Sequence, residues 1–385
     1  MKTIAIICEY NPFHRGHQKQ FRLIREEYGQ DAAIVCLMSG NFVQRGEPAL
    51  YPRMIRAKAA ILGGADLVLE LPVTYSLRSA EGFAGGGVEI LSGLGAVDGL
   101  SFGCERTEGI RETAALLLSD AFPAALREQL DHGVSFAAAR QRALESLGAD
   151  GSLIASPNNI LAVEYCKNIL LQKSSLEPMP LVRQGSYHDN GGELDPENPS
   201  AERLRRMPNF YDCLPEETVS CYDGEAQYRL SYGERAMLAR LRTIPESEFS
   251  KVPFGSEGLW RKVMALCRTE DSVEKILTGA KSKRYAYTRL SRLLICAYLG
   301  ISEAQLVEKV PYVRVLGLRE RGREILRQAR EQGNVTLLHA GERAPASEYA
   351  ELERRCELLY DLFRQENPAG LRKERLFYLP ESEKL

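Results

Sequence analysis

The sequence predicts an α/β protein in which a Rossmann-like, doubly wound parallel sheet is followed by a mainly helical C-terminal domain. Two observations support this fold class. Up to about residue 105, short runs that are apolar throughout alternate with helical patterns, which is typical of parallel strands covered on both faces. Beyond Phe210 the pattern changes to helices joined by polar, Pro-containing connections. We therefore expect a domain boundary near residue 215, which divides the chain into segments 1–215 and 216–385.

The predicted elements follow one another in chain order. Strands are predicted at residues 4–8, 32–38, 67–71 and 99–102. Helices are predicted at residues 18–28, 53–62 and 80–94, and helical patterns follow at 114–118, 136–147 and 160–171. A later strand is predicted at 335–338 and a long helix at 349–363. Open sheets bind ligands over the carboxyl ends of their strands, where we expect the loops carrying His14, Ser39, Arg45 and Gly103 to converge.

The composition is that of an ordinary soluble globular protein. The 385 residues are 44% hydrophobic and 26% charged, and a net charge of −2 does not demand a nucleic acid or an anionic membrane. The nine cysteines occur without a Cys-x-x-Cys pair, which indicates buried thiols in a reducing compartment. No apolar run approaches the roughly 20 residues of a membrane span, and the N-terminus lacks a signal-peptide pattern. The sequence predicts a cytoplasmic protein without a membrane segment.

The first predicted strand leads into Glu-Tyr-Asn-Pro-Phe-His-Arg-Gly-His at residues 9–17, which contains two of the five histidines of the chain. A Pro-containing turn and a helix start follow the strand here. Because positions i and i+3 share one face of a helix, His14 and His17 are expected to face one ligand, with Gly16 between them. The free N–H groups of a helix start favour a phosphate as that ligand. Surface histidines are the simpler alternative, and no metal is predicted because third and fourth ligands are not recognisable.

Three segments together resemble a known family. Asn-Pro-Phe-His-Arg-Gly-His at residues 11–17 resembles the His-x-Gly-His signature of the nucleotidylyltransferase superfamily. With Met-Ser-Gly-Asn-Phe-Val-Gln-Arg-Gly-Glu-Pro at 38–48 and Gly-Ala-Asp-Leu-Val-Leu-Glu-Leu-Pro at 64–72, it is similar to the bacterial tRNA(Met) cytidine acetate ligase family. The resemblance implies that ATP, with Mg²⁺, binds where the first strand meets the first helix, and that His14 and His17 are catalytic. The implied ATP contacts there are Ile7, Cys8, Glu9, Tyr10, Asn11, Pro12, Phe13, His14, Arg15, Gly16, His17, Gln18, Lys19 and Gln20.

Two later loops also carry implied ATP contacts. Gly103 ends a predicted strand, where a glycine permits a ligand to approach the backbone, although a simple turn glycine fits the residues equally well. Asn158 and Asn159 lie in the first turn of a helix that begins with a Ser-Pro pair. The family pattern makes one of the two asparagines an ATP contact, and the sequence does not decide which.

The resemblance implies a last group of ATP contacts, Arg183, Ser200 and Arg205. Arg183 follows a short predicted strand, a position that suits a phosphate or an adenine edge as well as an ordinary surface arginine. Ser200 and Arg205 resemble the second superfamily motif, usually Ser-Ser/Ala-Thr-x-Ile-Arg, at a helix start. Glu202 stands where a threonine is common, which removes a hydroxyl and adds a negative charge. Arg205 is therefore the better-matched half of this motif.

Residues 281–292 form a basic segment that contains two tyrosines and no acidic residue. Lysine and arginine neutralise phosphates, and interleaved aromatic rings can stack on unpaired bases. The predicted RNA contacts are Lys281, Lys283, Arg284, Arg289 and Arg292. A solvated helix face with its tyrosines turned to the core is the alternative. A second basic cluster at residues 314–330 supports RNA binding, although Glu320 and Glu324 dilute it.

The family resemblance also implies a reaction. Acetate would attack ATP to give acetyl-adenylate and pyrophosphate, and the acetyl group would pass to N4 of the wobble cytidine of elongator tRNA(Met). The residues themselves indicate an ATP site and an RNA surface, but they do not identify acetate. Two other functions stay open, a nucleotidylyltransferase acting on a phosphorylated small molecule and a non-catalytic RNA-binding protein regulated by ATP. The intact histidine pair argues against the second, and the first has no need of a basic helical domain.

Overall fold

The computed structural model of the chain describes residues 2–182, 194–282, 284–370 and 373–380. Within these residues strands and helices alternate, as the sequence predicts, and the sheet is mostly parallel with one antiparallel pair. The strands are β1 (Thr3–Cys8), β2 (Ala33–Ser39), β3 (Phe42–Val43), β4 (Glu47–Pro48), β5 (Leu67–Leu71), β6 (Gly99–Cys104), β7 (Glu177–Val182), β8 (Val313–Arg319), β9 (Leu337–His339) and β10 (Phe377–Leu379).

The helices fall into two groups, one on each side of the expected boundary. The first group is α1 (Arg15–Tyr28), α2 (Arg53–Leu62), α3 (Val73–Ser76), α4 (Ala80–Gly93), α5 (Ile110–Leu117), α6 (Phe122–Asp131), α7 (Phe136–Ser146), α8 (Pro157–Leu171) and α9 (Ala201–Arg206). The second group is α10 (Glu216–Val219), α11 (Leu230–Thr243), α12 (Glu246–Phe249), α13 (Leu259–Thr269), α14 (Val273–Ala280), α15 (Tyr287–Leu299), α16 (Glu303–Val307), α17 (Glu320–Gln332) and α18 (Glu348–Asp361). Short 3-10 turns lie at Gly151–Ala155 and Tyr211–Cys213.

The central sheet has the strand order β10-β8-β5-β2-β1-β6-β7, and β9 pairs with β8. All of these pairs are parallel except β5 with β8, which is antiparallel. In the β1–β2 pair, Ile4 lies opposite Ile34 and Cys8 lies opposite Met38, so the loops that follow both strands emerge at one edge. The predicted α/β fold with a largely parallel sheet is confirmed.

Helices cover both faces of the sheet. Because the side chains of a strand alternate between its two faces, each strand contributes to two separate cores. Ala5 of β1 belongs to a core that includes residues of α4, α8 and α17. Ile4 and Ile6 belong to the opposite core, with residues of α1 and α2. The strands are apolar throughout because each face is buried under helices, and this burial is what made them recognisable in the sequence.

The C-terminal segment has a core of its own and also contributes to the sheet. Residues of α11, α13, α14, α15 and α18 form a third hydrophobic core. The strands β8, β9 and β10 nevertheless join the edge of the sheet beside β5. The helical character of the segment is as expected, but its contribution to the sheet was not foreseen, because the sequence of β8 was interpreted as part of a basic cluster. No helix in the described ranges is long and apolar enough to cross a membrane.

A small hairpin, formed by β3 and β4, lies between the sheet and the helical core. Gly46 turns this hairpin with a φ of +80°, and a β-carbon there would clash with the backbone nitrogen of Arg292 in α15. The Arg292 guanidinium donates from Nη1 to the carbonyl oxygen of Gln44 at 3.2 Å. The hairpin therefore rests directly on α15.

Candidate active site

A cavity of about 350 Å³ opens over the carboxyl ends of β1, β6 and β7. The starts of α1, α8 and α9 contribute to its walls, so it lies where ligands bind in open α/β sheets. The predicted site residues that line it are Ile7, Cys8, Glu9, Tyr10, Asn11, His14, Gly16, His17, Lys19, Gln20, Gly103, Asn158 and Arg205. Gln44 and Arg45 of the β3–β4 hairpin line it as well.

The two histidines form a fixed pair at the start of α1. His14 is the N-cap residue, and its backbone N–H donates to Nδ1 of His17 at 3.3 Å. The two imidazole rings are stacked, with 3.6 Å between their centroids. Gly16 leaves room for this arrangement, because a β-carbon there would lie only 3.0 Å from Cε1 of His14. Since Nδ1 of His17 accepts a hydrogen bond, the neutral ring carries its proton on Nε2 and can donate it to a ligand.

The loop before α1 is held by contacts that do not involve the cavity. The Asn11 side chain accepts from the backbone N–H of Leu50 at 2.7 Å, and the Phe13 N–H donates to the Tyr222 hydroxyl at 3.1 Å. Phe13 is completely buried and does not line the cavity, and neither does Pro12. Their predicted role as ATP contacts is therefore better described as support for the loop that carries the histidines.

Arg15 and Gln18, two predicted ATP contacts on α1, do not line the cavity. Arg15 forms an ion pair with Glu197 at 2.6 Å and also donates from Nε to the Leu214 carbonyl oxygen at 3.1 Å. Gln18 donates to Glu217 at 2.5 Å. The structure does not bring Arg15 and Gln18 to the cavity, because a helix of 3.6 residues per turn presents only some positions to one side.

The two asparagines in the first turn of α8 make different contacts with the loop after β6. Asn159 is buried, and its side-chain oxygen accepts the backbone N–H of Glu105 at 2.9 Å. Asn158 lines the cavity and donates from Nδ2 to Glu105 at 2.7 Å. Gly103 lies in β6 beside them and also lines the cavity. Asn158 is therefore the better candidate for a ligand contact, and Asn159 supports the loop.

The second motif reaches the cavity through its arginine. Arg205 lines the cavity and donates from Nη1 to the carbonyl oxygen of Asn11 at 3.0 Å. Ser200 is the N-cap of α9, as predicted, but its side chain makes no capping hydrogen bond and does not line the cavity. Glu202 lies 2.6 Å from Arg206 and 3.6 Å from Arg45, so two arginines offset the added negative charge. Arg183 lies outside the described residues.

Sequence reasoning missed Arg56, which positions the loops around the cavity. This arginine of α2 is completely buried, and it donates to the carbonyl oxygens of Glu9 at 2.5 Å and Ser39 at 3.1 Å. It also bonds the carbonyl oxygens of Gly40 and Tyr51. Burial lowers the pKa of Arg56. One buried cation thus fixes the carboxyl ends of β1 and β2. The sequence did not indicate this role, because an arginine in a helix is usually exposed.

The predicted RNA contacts differ in how far they are exposed to solvent. Lys281 and Arg284 are exposed, although Arg284 forms an ion pair with Glu257 at 2.7 Å. Arg289 donates to the carbonyl oxygen of Phe254 at 3.1 Å. Arg292 is only 7% exposed, which corrects its predicted role, because a buried guanidinium on the β3–β4 hairpin presents little surface to RNA. Lys283 lies outside the described residues.

The second basic cluster is largely neutralised by its neighbours. Arg314 is buried and bonds Glu353 at 2.6 Å. Arg319 donates from Nε to the Ile61 carbonyl oxygen at 3.0 Å. Arg327 forms ion pairs with glutamates one turn away on α17. These contacts favour a structural role for the cluster over RNA binding.

A largely parallel sheet with a histidine pair at the carboxyl end of an interior strand is the arrangement expected of a nucleotidyltransferase type of protein. The family model described as HIGH Nucleotidyl Transferase matches residues 1–374. A tRNA(Met) cytidine acetate ligase of Clostridium novyi is 35% identical over a 360-residue alignment that covers 88% of this chain and 89% of that protein. One of Clostridium perfringens is 31% identical over a 389-residue alignment that covers 94% of this chain and 95% of that protein. The chain belongs to the tRNA(Met) cytidine acetate ligase family within the HIGH nucleotidyl transferases.

Two solved structures agree with this assignment. The chain matches the crystal structure of apo Thermotoga maritima TmcAL with a TM-score of 0.87 and 26% identity, covering 99% of this chain and 100% of that one. It matches TmcAL bound with alpha-thio ATP with a TM-score of 0.85 and 26% identity, covering 98% and 100%. The fold of this chain is therefore that of a protein solved with an ATP analogue.

Proposed function

We propose that this protein is an ATP-dependent ligase that activates acetate as acetyl-adenylate and transfers the acetyl group to N4 of the wobble cytidine of elongator tRNA(Met). The observation that carries the proposal is the stacked His14–His17 pair facing the cavity in a chain whose named relatives share nearly its whole length. Because its acceptor is a tRNA, we place the enzyme in the cytoplasm.

In the first step, a carboxylate oxygen of acetate attacks the α-phosphorus of ATP. The new O–P bond gives acetyl-adenylate, and the bond to the β-phosphate breaks to release pyrophosphate. His17 would donate from Nε2 to an α-phosphate oxygen at the positive end of the α1 dipole. Lys19 and Arg205 line the same cavity and would attract the departing pyrophosphate. The step needs positioned charges and donors, and no side chain acts as nucleophile.

In the second step, the N4 amine of the cytidine attacks the acetyl carbonyl carbon. An amide bond forms, AMP leaves with the bonding electrons of the mixed anhydride, and the amine loses one proton. The β3–β4 hairpin joins the cavity to the helical segment, because Gln44 and Arg45 line the cavity while Gly46 rests on α15. RNA held by the helical segment would therefore meet the adenylate beside this hairpin.

Mg²⁺ enters this proposal as part of the nucleotide. The described ranges contain no group of three or more His, Cys, Asp or Glu side chains able to hold a metal ion. Mg²⁺ commonly binds phosphate oxygens together with water and only one or two protein ligands, so it would accompany ATP. We assign no step to it.

The proposal is tested with labelled acetate, ATP and purified elongator tRNA(Met). We expect label on the tRNA that depends on ATP, with one AMP and one pyrophosphate released per acetyl group. A tRNA whose wobble cytidine is replaced by uridine lacks the N4 amine and is the matched control. Acetate-dependent pyrophosphate exchange without labelled tRNA would show an adenylate-forming enzyme with another acceptor. Exchange that requires a phosphorylated metabolite, or no exchange at all, would overturn the proposal.

A further inference from the structure

The deep wall of the cavity is apolar and comes from four different elements. Ile7 of β1, Phe83 of α4, Phe102 of β6, and Leu161 and Tyr165 of α8 all line it. They belong to one hydrophobic cluster, in which the rings of Phe102 and Tyr165 lie 5.4 Å apart. The recess that this apolar wall forms contrasts with the charged residues of the same cavity, in which the cations Lys19, Arg45 and Arg205 outnumber the one carboxylate among the described residues, Glu9.

Tyr165 brings a single polar atom into the recess. The residue is only 4% exposed, and its hydroxyl has no hydrogen-bond partner among the residues that the structure describes. Other buried tyrosines are paired, as the Tyr222 hydroxyl is with the Phe13 N–H and the Tyr298 hydroxyl with the Leu359 carbonyl oxygen. Because the hydroxyl oxygen is not completely enclosed, it is accessible from the cavity and available to a ligand.

The hydroxyl is a donor throughout the physiological pH range. Burial raises the pKa of Tyr165, and the nearby Cys8 and Glu9 at the end of β1 raise it further. A protonated phenol that faces a cavity is suited to an acceptor, and an anionic acceptor gives the strongest hydrogen bond.

Tyr165 is separated from Asn158, the expected nucleotide contact on the same helix. It follows Asn158 by two turns of α8, which corresponds to about 10 Å along the helix. An adenine needs several donors and acceptors for its ring nitrogens and amino group, whereas among the five described side chains of this wall only Tyr165 carries a polar group. A small carboxylic acid needs one donor for its carboxylate and an apolar wall for its alkyl group.

We propose that this recess is the acyl-acid subsite, in which the Tyr165 hydroxyl donates to one carboxylate oxygen of acetate while Ile7, Phe83 and Leu161 enclose the methyl group. The other carboxylate oxygen remains directed towards the α-phosphate beside His14 and His17. The inference rests on the proposed function, because it assigns a place to the acid that the ligase would activate. The apolar wall then limits the length of the acid, since a pocket built for a methyl group discriminates against one more methylene by roughly 10- to 200-fold.

The donor is tested by Tyr165→Phe in ATP–pyrophosphate exchange with acetate as the varied substrate. We expect the KM for acetate to rise about tenfold or more, because a hydrogen bond to a charged group is lost. The KM for ATP should change by less than about twofold. Tyr232→Phe is the matched control, because Tyr232 is an exposed tyrosine of α11.

The wall is tested by Leu161→Ala with propionate. We expect the ratio of kcat/KM for propionate to that for acetate to rise about tenfold or more, because the smaller side chain makes room for a methylene. Thermal unfolding of both variants shows whether they are folded, and retained ATP binding identifies a variant whose loss is confined to the acid.

The outcomes separate the two proposals. Wild-type protein without acetate-dependent exchange would overturn the proposed function itself. Wild-type exchange with an unchanged acetate KM in Tyr165→Phe would overturn the subsite and leave the function standing. A raised KM for ATP with an unchanged KM for acetate would likewise overturn the subsite and place Tyr165 against the nucleotide.

Discussion

At the residue scale, one hydrogen bond determines which nitrogen of His17 can act on a ligand. The His14 backbone N–H donates to Nδ1 of His17, so the neutral ring presents Nε2–H as its donor. Tyr10 packs against the same imidazole, with 4.7 Å between ring centroids, and limits its rotation. The helix start thus orients the donor before any ligand binds, which is the condition for electrostatic catalysis without reorganisation.

Replacing this donor is expected to remove adenylate formation selectively. His17→Ala should lower acetate-dependent ATP–pyrophosphate exchange roughly 100- to 1,000-fold, which is the usual effect of losing one donor to a developing charge. His17→Gln, whose amide can place an N–H near the position of Nε2, should retain more activity than His17→Ala. The affinity for tRNA, measured separately by filter binding, should be nearly unchanged. A large loss of tRNA binding would contradict the division between the ATP site and the RNA surface.

A second residue-scale effect concerns the buried carboxyl of Glu70. It lies 2.8 Å from Arg53, and Arg53 also bonds Glu357 and Glu374. Burial raises the pKa of Glu70 from 4.5 to about 7, because the attraction of the shared Arg53 does not offset desolvation. Between these two values the folded protein retains a proton that the unfolded chain has lost. The contribution of Glu70 to the free energy of unfolding is therefore greatest at low pH, and it decreases as the pH rises towards 7.

The corresponding test is the pH dependence of Glu70→Gln. Relative to the wild type, the variant should gain roughly 1 to 3 kcal/mol as the pH rises from about 5 to 7, and the difference should then level off. Urea unfolding at a series of pH values measures this difference. Glu26→Gln is the control, because Glu26 forms an exposed pair with Arg22. A difference that is constant across the series would mean that Glu70 does not titrate in this range.

At the element scale, the sequence predicted those features that depend on local pattern. The helix at Arg53–Leu62 and the strand at Leu67–Leu71 have the predicted bounds, because helical periodicity and a short apolar run are properties of neighbouring residues. The histidine pair was recognisable for the same reason. The sequence did not predict the burial of Arg56 and Arg292 or the place of β8 in the sheet. These features depend on partners that are distant along the chain. A side chain's charge gives no sign of such a partner.

Contacts within the protein also reduce the number of basic residues that can bind RNA. Those that remain exposed lie just before the start of α15. Arg292 and Arg289 are held by the protein itself, whereas Lys281 and Arg284 are exposed just before the helix. The ion pair between Arg284 and Glu257 is exposed, and such pairs contribute little, so the arginine can exchange the carboxylate for a phosphate.

Neutralising this exposed end is expected to change the salt dependence of tRNA binding. Lys281→Gln combined with Arg284→Gln should weaken binding and reduce the slope of log K against log salt by roughly 1 to 2, since each phosphate contact contributes about 0.7 to 0.9. ATP–pyrophosphate exchange should be mostly retained. Arg354→Gln is the control, because Arg354 forms an exposed pair with Glu351 on α18. An unchanged slope would show that these side chains do not contact phosphates.

At the scale of the whole molecule, the two segments of the chain share one sheet. Leu67 of β5 lies opposite Leu318 of β8, and Phe377 of β10 lies opposite Gly317 on the other side of β8. Buried charges tie the segments as well, because Arg53 of the first segment bonds Glu357 and Glu374 of the second. The boundary near residue 215 therefore separates expected functions, and it does not coincide with a gap in the sheet.

A chain that ends at residue 215 tests whether the first segment folds alone. It would expose the edge of β5, whose residues are all buried in the whole protein, and would leave the buried Arg53 with only Glu70 as a partner. We expect this fragment to be insoluble or aggregated. A chain that ends at residue 366 retains β8, loses only β10 and Glu374 from these contacts, and should remain soluble with a lower Tm. A soluble fragment 1–215 that unfolds cooperatively would instead show that the boundary is also a folding boundary, with β8 a later addition to a complete domain.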